Sequence, residues 1–276
     1  MRLRRLHSPD LDEALALARR DPVVNVTVDH RARVTRLEPR WLGGSVWGRF
    51  EDGVLTSMLH VATNVIPVAA DRTACAHFAE MLIDQATDYA TIVGPREQVT
   101  WMWQALEEAS PRPREQRWEQ PHLEISNDPL IAPDPLVTQT SRGDVDTLYP
   151  ACVAMYTEEV GVSPEVDSGG AAYRARVNQL VARGWSFSRI EHGRVVFKAE
   201  VAVSSPFAAQ IQGVYVDPSR RGEGLAAPAM AAVVQHVRRD IAPTVSLYVN
   251  AHNVAARAAY ARVGFQQSAT FSTLMF

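Results

Sequence analysis

The sequence predicts an α/β fold built twice over, and three observations carry that reading. Short apolar runs alternate with amphipathic stretches of helical length, the pattern of strands interleaved with helices. A strand, tight turn and second strand occur in both halves, from Val46 to Leu55 and from Trp185 to Val196. Each carries Arg-x-Glu-x-Gly at its turn. Between the copies lies a proline-rich seam at about residues 127–142, where Pro129, Pro133 and Pro135 exclude a continuous helix or a central strand. The expected units are 1–135 and 136–276, a tandem duplication of one module.

Taken in order, the first hairpin leads into an apolar stretch at 59–68 and a helix at 73–86. A strand at 89–93 and a helix at 96–109 follow, the latter ended by Pro111 and Pro113. The second copy has a helical region at 148–159, then the hairpin and an apolar stretch at 208–216. A helix at 226–239, a strand at 245–249 and a helix at 254–263 complete it. The copies differ at one place. The second reads Val216-Asp217-Pro218-Ser219-Arg220-Arg221-Gly222-Glu223-Gly224-Leu225-Ala226, where the first has only Val68-Ala69-Ala70-Asp71-Arg72-Thr73.

Composition narrows the function classes. With 28 basic and 31 acidic side chains the net charge is −3, which argues against a general grip on nucleic acid or an anionic membrane. Lys198 is the sole lysine, and the arginine excess reads as codon usage in a GC-rich genome. Cys75 and Cys152 are isolated, so neither a disulfide framework nor a zinc site is expected. His236 and His252 have no ligand partners at helical spacing. The basic start is followed by Ser8-Pro9-Asp10 where a signal peptide needs an apolar run, and no stretch approaches about 20 apolar residues. A cytoplasmic protein is expected, with its oligomeric state open.

The loop that distinguishes the copies asks for an anion. A helix N-terminus leaves about four N–H groups unpaired and carries about half a positive charge. Glycines let that backbone approach a phosphate, and Arg221 adds a fixed charge. A P-loop would need Lys-Ser/Thr where Leu225-Ala226 stand. Gly222-x-Gly224-x-x-Ala227 satisfies a relaxed dinucleotide fingerprint. Five residues nevertheless separate Val216 from Gly222, and no acidic residue ends the next strand at Val249-Asn250. An ordinary loop with capping glycines and a coenzyme A site remain.

Val216-x-Pro218-x-x-Arg221-Gly222-x-Gly224-Leu225-Ala226 resembles the acetyl-CoA signature of the GNAT superfamily of N-acyltransferases. At the right distance, Leu247-x-Val249-x-x-x-Asn253-x-x-Ala256-x-x-x-Tyr260-x-x-x-Gly264-Phe265 resembles the family's fifth strand and the helix after it. The two motifs cover about 55 residues. The whole chain resembles two-domain GNAT proteins whose N-terminal half is a degenerate copy. The resemblance implies tandem modules, each a mixed, mostly antiparallel sheet flanked by helices. It also implies acetyl-CoA as cosubstrate, a primary amine as acceptor and no metal. Backbone groups of Val214, Tyr215 and Val216 would bind pantetheine, and those of Arg221, Gly222, Glu223, Gly224, Leu225 and Ala226 the pyrophosphate, with Asn253 also at the cofactor. Tyr260 would be the general acid.

The general base is less legible. Family members carry a glutamate on the fourth or fifth strand, but Gln210-Ile211-Gln212 and Tyr248 stand there. Glu200 is one candidate. Tyr156, Glu158 and Glu159 are expected at an acceptor site formed by the 148–159 helix and the loop from Gly161 to Pro164. Two alternatives stay open: a CoA-binding sensor without turnover, and a tRNA-dependent aminoacyl transferase of related tandem fold.

Overall fold

The computed structural model describes residues 2–166 and 169–276, and packing divides the chain into two compact units. One holds the chain through Leu123 with Tyr248–His252 and Gln267–Phe276; the other holds Glu124–Leu247 with Asn253–Gln266.

The first unit begins with β1 (Arg2–Arg5) and the helices α1 (Leu11–Ala18), α2 (Val26–Thr35) and α3 (Pro39–Leu42). Then come β2 (Ser45–Glu51), β3 (Val54–Val61), β4 (Asn64–Val68), α4 (Arg72–Asp84), β5 (Thr91–Pro95), α5 (Arg96–Leu106) and β6 (Glu115–Ile125). Strands β1 to β4 pair antiparallel in chain order, and β4 pairs parallel with β5. The second unit has β7 (Thr138–Gln139), α6 (Val145–Val160), α7 (Gly169–Ala182), β8 (Ser186–Glu191), β9 (Arg194–Ser204) and β10 (Ala208–Val216). It continues with α8 (Ala226–Asp240), β11 (Thr244–Tyr248) and α9 (Val254–Val263). Its strands follow the same plan, antiparallel from β7 to β10 and parallel between β10 and β11. The duplicated α/β module expected from sequence is present. The last strand, β12 (Gln266–Met275), goes with the first unit, where it pairs antiparallel with β5 from Phe271–Pro95 to Met275–Thr91.

Both repeated hairpins turn on two left-handed residues, Asp52 (φ 49°) with Gly53 (φ 82°) and His192 (φ 50°) with Gly193 (φ 74°). This is the turn whose twist matches that of paired strands. Helices cover both faces of the first sheet. Phe78, Leu82, Met102 and Leu106 pack on one side with Leu59, Val65 and Ile92, and Leu15, Val28 and Ala32 on the other with Val46, Phe50 and Met58. In the second unit Leu148, Cys152, Val177 and Val181 pack with Val195 and Tyr215, while Met230, Val233, Val234 and Val237 of α8 are fully buried. Each such aliphatic or aromatic side chain contributes about 1.5–3 kcal/mol by leaving water.

Two details differ from the sequence expectation. The apolar stretch at 59–68 is a hairpin, broken where the Ala62 N–H bonds the Asn64 carbonyl. The proline seam has no regular structure between β6 and β7, but it is strapped onto the second unit. The Leu130 N–H bonds the Val263 carbonyl (2.9 Å), the Asp134 N–H bonds the Pro228 carbonyl (3.0 Å), and the Asp134 carboxylate holds Arg189 (2.7 Å).

Two histidines of the first unit are buried as neutral rings. Burial holds His60 and His122 down at about 4, with Arg31 adding to the effect at His60. His122 stacks on Phe271 (4.7 Å) and shares a hydrogen bond of 2.9 Å with Ser268. The unfolded chain protonates both below about pH 6.5, whereas the folded chain does not until about pH 4. Their stabilisation is therefore complete above pH 6.5 and is lost as the pH falls through 4, with a slope of about 1.4 kcal/mol per pH unit for each ring. Urea midpoints measured from pH 7.5 to 4 should fall along this limb, and His122→Gln should make it shallower.

Candidate functional site

The parallel ladder between β10 and β11 pairs Ala208 with Thr244, Ala209 with Val245 and Gln210 with Ser246, and then stops. Residues 211–216 of β10 run on without β11 beside them. In the first unit the matching parallel ladder is shorter still, pairing Asn64 with Thr91 and Val65 with Ile92, but beyond it Pro67 lies 3.6 Å from where a Cβ on Gly94 would be.

Beyond Val216, Asp217 builds a turn by accepting from the Ser219 N–H (2.9 Å) and hydroxyl (2.7 Å). Gly222 (φ 82°) and Gly224 (φ 79°) then take left-handed backbone that side-chain-bearing residues avoid. A Cβ on either would meet nothing within 4 Å, so the space above this turn is open. Leu225 precedes α8 without a side-chain cap. Among the described residues, no N–H from Gly222 to Ala227 has a protein acceptor. The matching helix of the first unit is closed. Asp71 caps α4 by accepting from the Ala74 N–H (2.7 Å), and Gln98 takes the Ala70 N–H (3.3 Å). A carboxylate there repels the anion that α8 can accept.

Before the loop, β10 bulges. Gln212 lies opposite Glu200 and Tyr215 opposite Lys198, so Gly213 and Val214 together face one residue, Ala199. Gly213 is left-handed (φ 61°) and sits on charged side chains: a Cβ there would lie 3.1 Å from Lys198 Nζ and 3.2 Å from the Glu200 carboxyl carbon. Lys198 is 1% exposed and pairs with Glu200 Oε2 at 3.0 Å, while Gln212 Nε2 donates to Glu200 Oε1 at 2.8 Å. Both oxygens of the candidate base are thus occupied. Glu200 and its neighbours hold Lys198 protonated above its ordinary range, against the effect of burial.

The remaining expected residues fall on the second unit. Tyr260 is buried on α9, edge-on to Phe265 at 5.8 Å, and burial with the Glu159 carboxylate raises its phenol above the ordinary value. Asn253 Oδ1 caps α9 by accepting from the Ala256 N–H (3.1 Å). Tyr156 stands edge-on to Tyr173 (5.3 Å). Glu158 and Arg221, expected at acceptor and pyrophosphate respectively, are brought together in a two-pronged ion pair of 3.0 and 2.6 Å. Glu223 holds Arg220 (2.8 Å), which also reaches Glu191 (2.6 Å). The sequence reading missed Gly213, Lys198 and Gln212. Their signals were a glycine inside a strand pattern, and a lone lysine two residues from a glutamate on one strand face.

Among the described residues no group of three or more His, Cys, Asp or Glu gathers as a metal site needs, and no helix is long and apolar enough to cross a membrane. A mixed sheet that forks beside an open, glycine-led helix N-terminus defines a GNAT-fold protein. Residues 168–265 match the acetyltransferase (GNAT) family, and residues 44–148 match a domain of unknown function, DUF4081. A mycothiol acetyltransferase of Brachybacterium faecium is 35% identical over 108 residues, 36% of this chain and 33% of that protein. The chain spans a third or less of the curated relatives it matches. Among solved structures, a GNAT-family acetyltransferase of Colwellia psychrerythraea covers all of both chains (TM-score 0.60, 12% identity). A tandem GNAT protein from the clavulanic acid biosynthesis pathway covers 99% of this chain and 98% of its own (TM-score 0.57, 15% identity). At such identities the likeness is one of fold.

Removing one partner of the buried pair exposes its role. Lys198→Met should cost about 3–5 kcal/mol in urea unfolding, because it leaves Glu200 charged and buried, and adding Glu200→Met should recover most of that loss.

Proposed function

We propose that this protein is an acetyl-CoA-dependent N-acetyltransferase, acting on a primary amine of a small molecule or peptide by direct attack in a ternary complex. Catalysis is assigned to residues 136–276, and residues 1–135 are assigned a structural or substrate-shaping role. The observation that carries the reading is the open N-terminus of α8, with its left-handed glycines and unpaired N–H groups, at the end of a strand that has lost its parallel neighbour.

The residues present fit the cosubstrate. N–H groups of Arg221 to Ala226 would hold its pyrophosphate, and backbone of Val214, Tyr215 and Val216 would pair with its pantetheine arm where β11 is absent. The cosubstrate supplies an acetyl group activated as a thioester. A strand N–H near Val216 is assigned to polarise its carbonyl, a role worth about 3–4 kcal/mol. Tyr260, whose raised phenol keeps its proton at neutral pH, would donate it to the departing sulfur and regain one from the proton that the attacking amine loses, relayed through solvent. The similarity to proteins named mycothiol acetyltransferase supports including mycothiol-related amines in the panel to be tried.

One observation favours a second reading, a CoA-binding protein without turnover: both oxygens of Glu200, the candidate base, are engaged by Lys198 and Gln212. Calorimetric CoA titration and thiol release from acetyl-CoA with an amine panel separate the two. Gly224→Val should abolish CoA binding. Tyr260→Phe should lower thiol release about 10²-fold while CoA affinity stays within about twofold. Tight CoA binding with no thiol release for any amine selects the second reading, and no CoA binding by the wild type sinks both.

A further inference from the structure

The Arg221–Glu158 pair joins two parts of the proposed machinery that would have different ligands. Arg221 belongs to the glycine loop, and its guanidinium is fully engaged: Nη1 and Nη2 on the Glu158 carboxylate, Nε on the Val216 carbonyl (3.1 Å). Glu158 belongs to the last turn of α6, just ahead of the left-handed cap at Gly161 (φ 80°). That turn holds Glu158 and Glu159 and no basic residue. The C-terminal end of a helix is its negative end, so carboxylates there are destabilised unless a cation from elsewhere neutralises them. Arg221 is that cation for Glu158.

A phosphate at the loop can take the same two-pronged face of Arg221 that Glu158 holds, since that planar geometry suits carboxylate and phosphate alike. We propose that Glu158 and the cosubstrate's anion are alternative partners of Arg221. Filling the loop then releases Glu158, leaving a carboxylate at a negative helix end that seeks a new cation, the ammonium form of the acceptor. Glu158 is thereby a specificity-determining residue: it sets how strongly an anion must bind to enter, and makes the acceptor-side charge available only afterwards. This inference rests on the proposed CoA site.

Side-chain exposures of 45% for Arg221 and 56% for Glu158 bound the effect, because exposed pairs contribute little and are screened by salt. Calorimetric titration of CoA into the full chain at low ionic strength tests the idea. Glu158→Gln should tighten CoA about threefold, and the gain should shrink at 0.5 M salt. Arg221→Gln should weaken CoA, and adding Glu158→Gln to it should then change nothing, since the coupling runs through that one side chain. Asp146→Asn removes one negative charge from the first turn of the same helix, where the carboxylate pairs with Arg174, and should leave CoA affinity within the error.

Equal tightening by Asp146→Asn would mean general charge repulsion and overturn the exchange. So would an unchanged or weaker affinity for a folded Glu158→Gln, with circular dichroism as the check on folding. In both cases wild-type CoA binding and its loss in Arg221→Gln would leave the proposed function standing. Absence of CoA binding by every variant overturns both.

Discussion

The site depends on the parallel ladder between β10 and β11 being only three residue pairs long. A strand that keeps both neighbours has no backbone to offer a ligand. One that loses a neighbour partway has a row of donors and acceptors needing partners, and burying them unpaired would cost several kcal/mol. The bulge at Gly213 and Val214 bends β10 where it runs without β11 beside it. The left-handed Gly213 is seated against Lys198 and Glu200, whose charges are buried in turn by α6 and the sheet. A buried ion pair adds little net stability compared with apolar packing, but it tolerates few alternative geometries. Here it reads as a fixture that holds the bulge rather than as catalytic chemistry, which removes Glu200 from the list of free bases.

The two copies differ in the backbone that the proposal assigns to a ligand. In the first, the parallel ladder also stops early, but Pro67 lies against Gly94 beyond it; Asp71 supplies the carboxylate that caps α4, and Gln98 takes the Ala70 N–H. The Ala70 and Ala74 N–H groups at this helix start are thus satisfied from within. In the second, the glycine loop replaces the capping aspartate and leaves the matching donors unpaired. The difference lies in a handful of residues, while the strand order and the helix positions are the same.

Much of this was legible in the sequence because it is local. The Asp-Gly and His-Gly turns dictate hairpins through their backbone preferences, Asn253 and Gly264 bracket α9 at both ends, and Gly222 with Gly224 marks a left-handed loop. What was not legible depends on pairing between distant segments. Nothing in residues 266–275 says that β12 completes the first unit's sheet beside β5, because an amphipathic strand does not encode which edge it joins. Neither α1 to α3 nor α7 was expected. The hydrophobic pattern in α2 is weak, and its place is fixed by contacts with other elements. At the site, Glu158 and Arg221 lie 63 residues apart, and each was read as facing a ligand. Their mutual pairing is a property of the fold alone.

The charge around the loop sharpens what an anion site means in a chain of net charge −3. Each nearby arginine has a carboxylate: Arg220 holds Glu191 and Glu223, Arg194 holds Asp217, and Arg221 holds Glu158. The guanidinium charges therefore largely cancel before any ligand arrives. What remains to attract a phosphate is the backbone, the unpaired N–H groups of the glycine turn and the positive end of α8. Backbone donors are fixed in direction and act over short range. They select a ligand that fits the turn more than they draw in anions at large. The proposed pyrophosphate site therefore rests on the geometry of the backbone more than on net arginine charge.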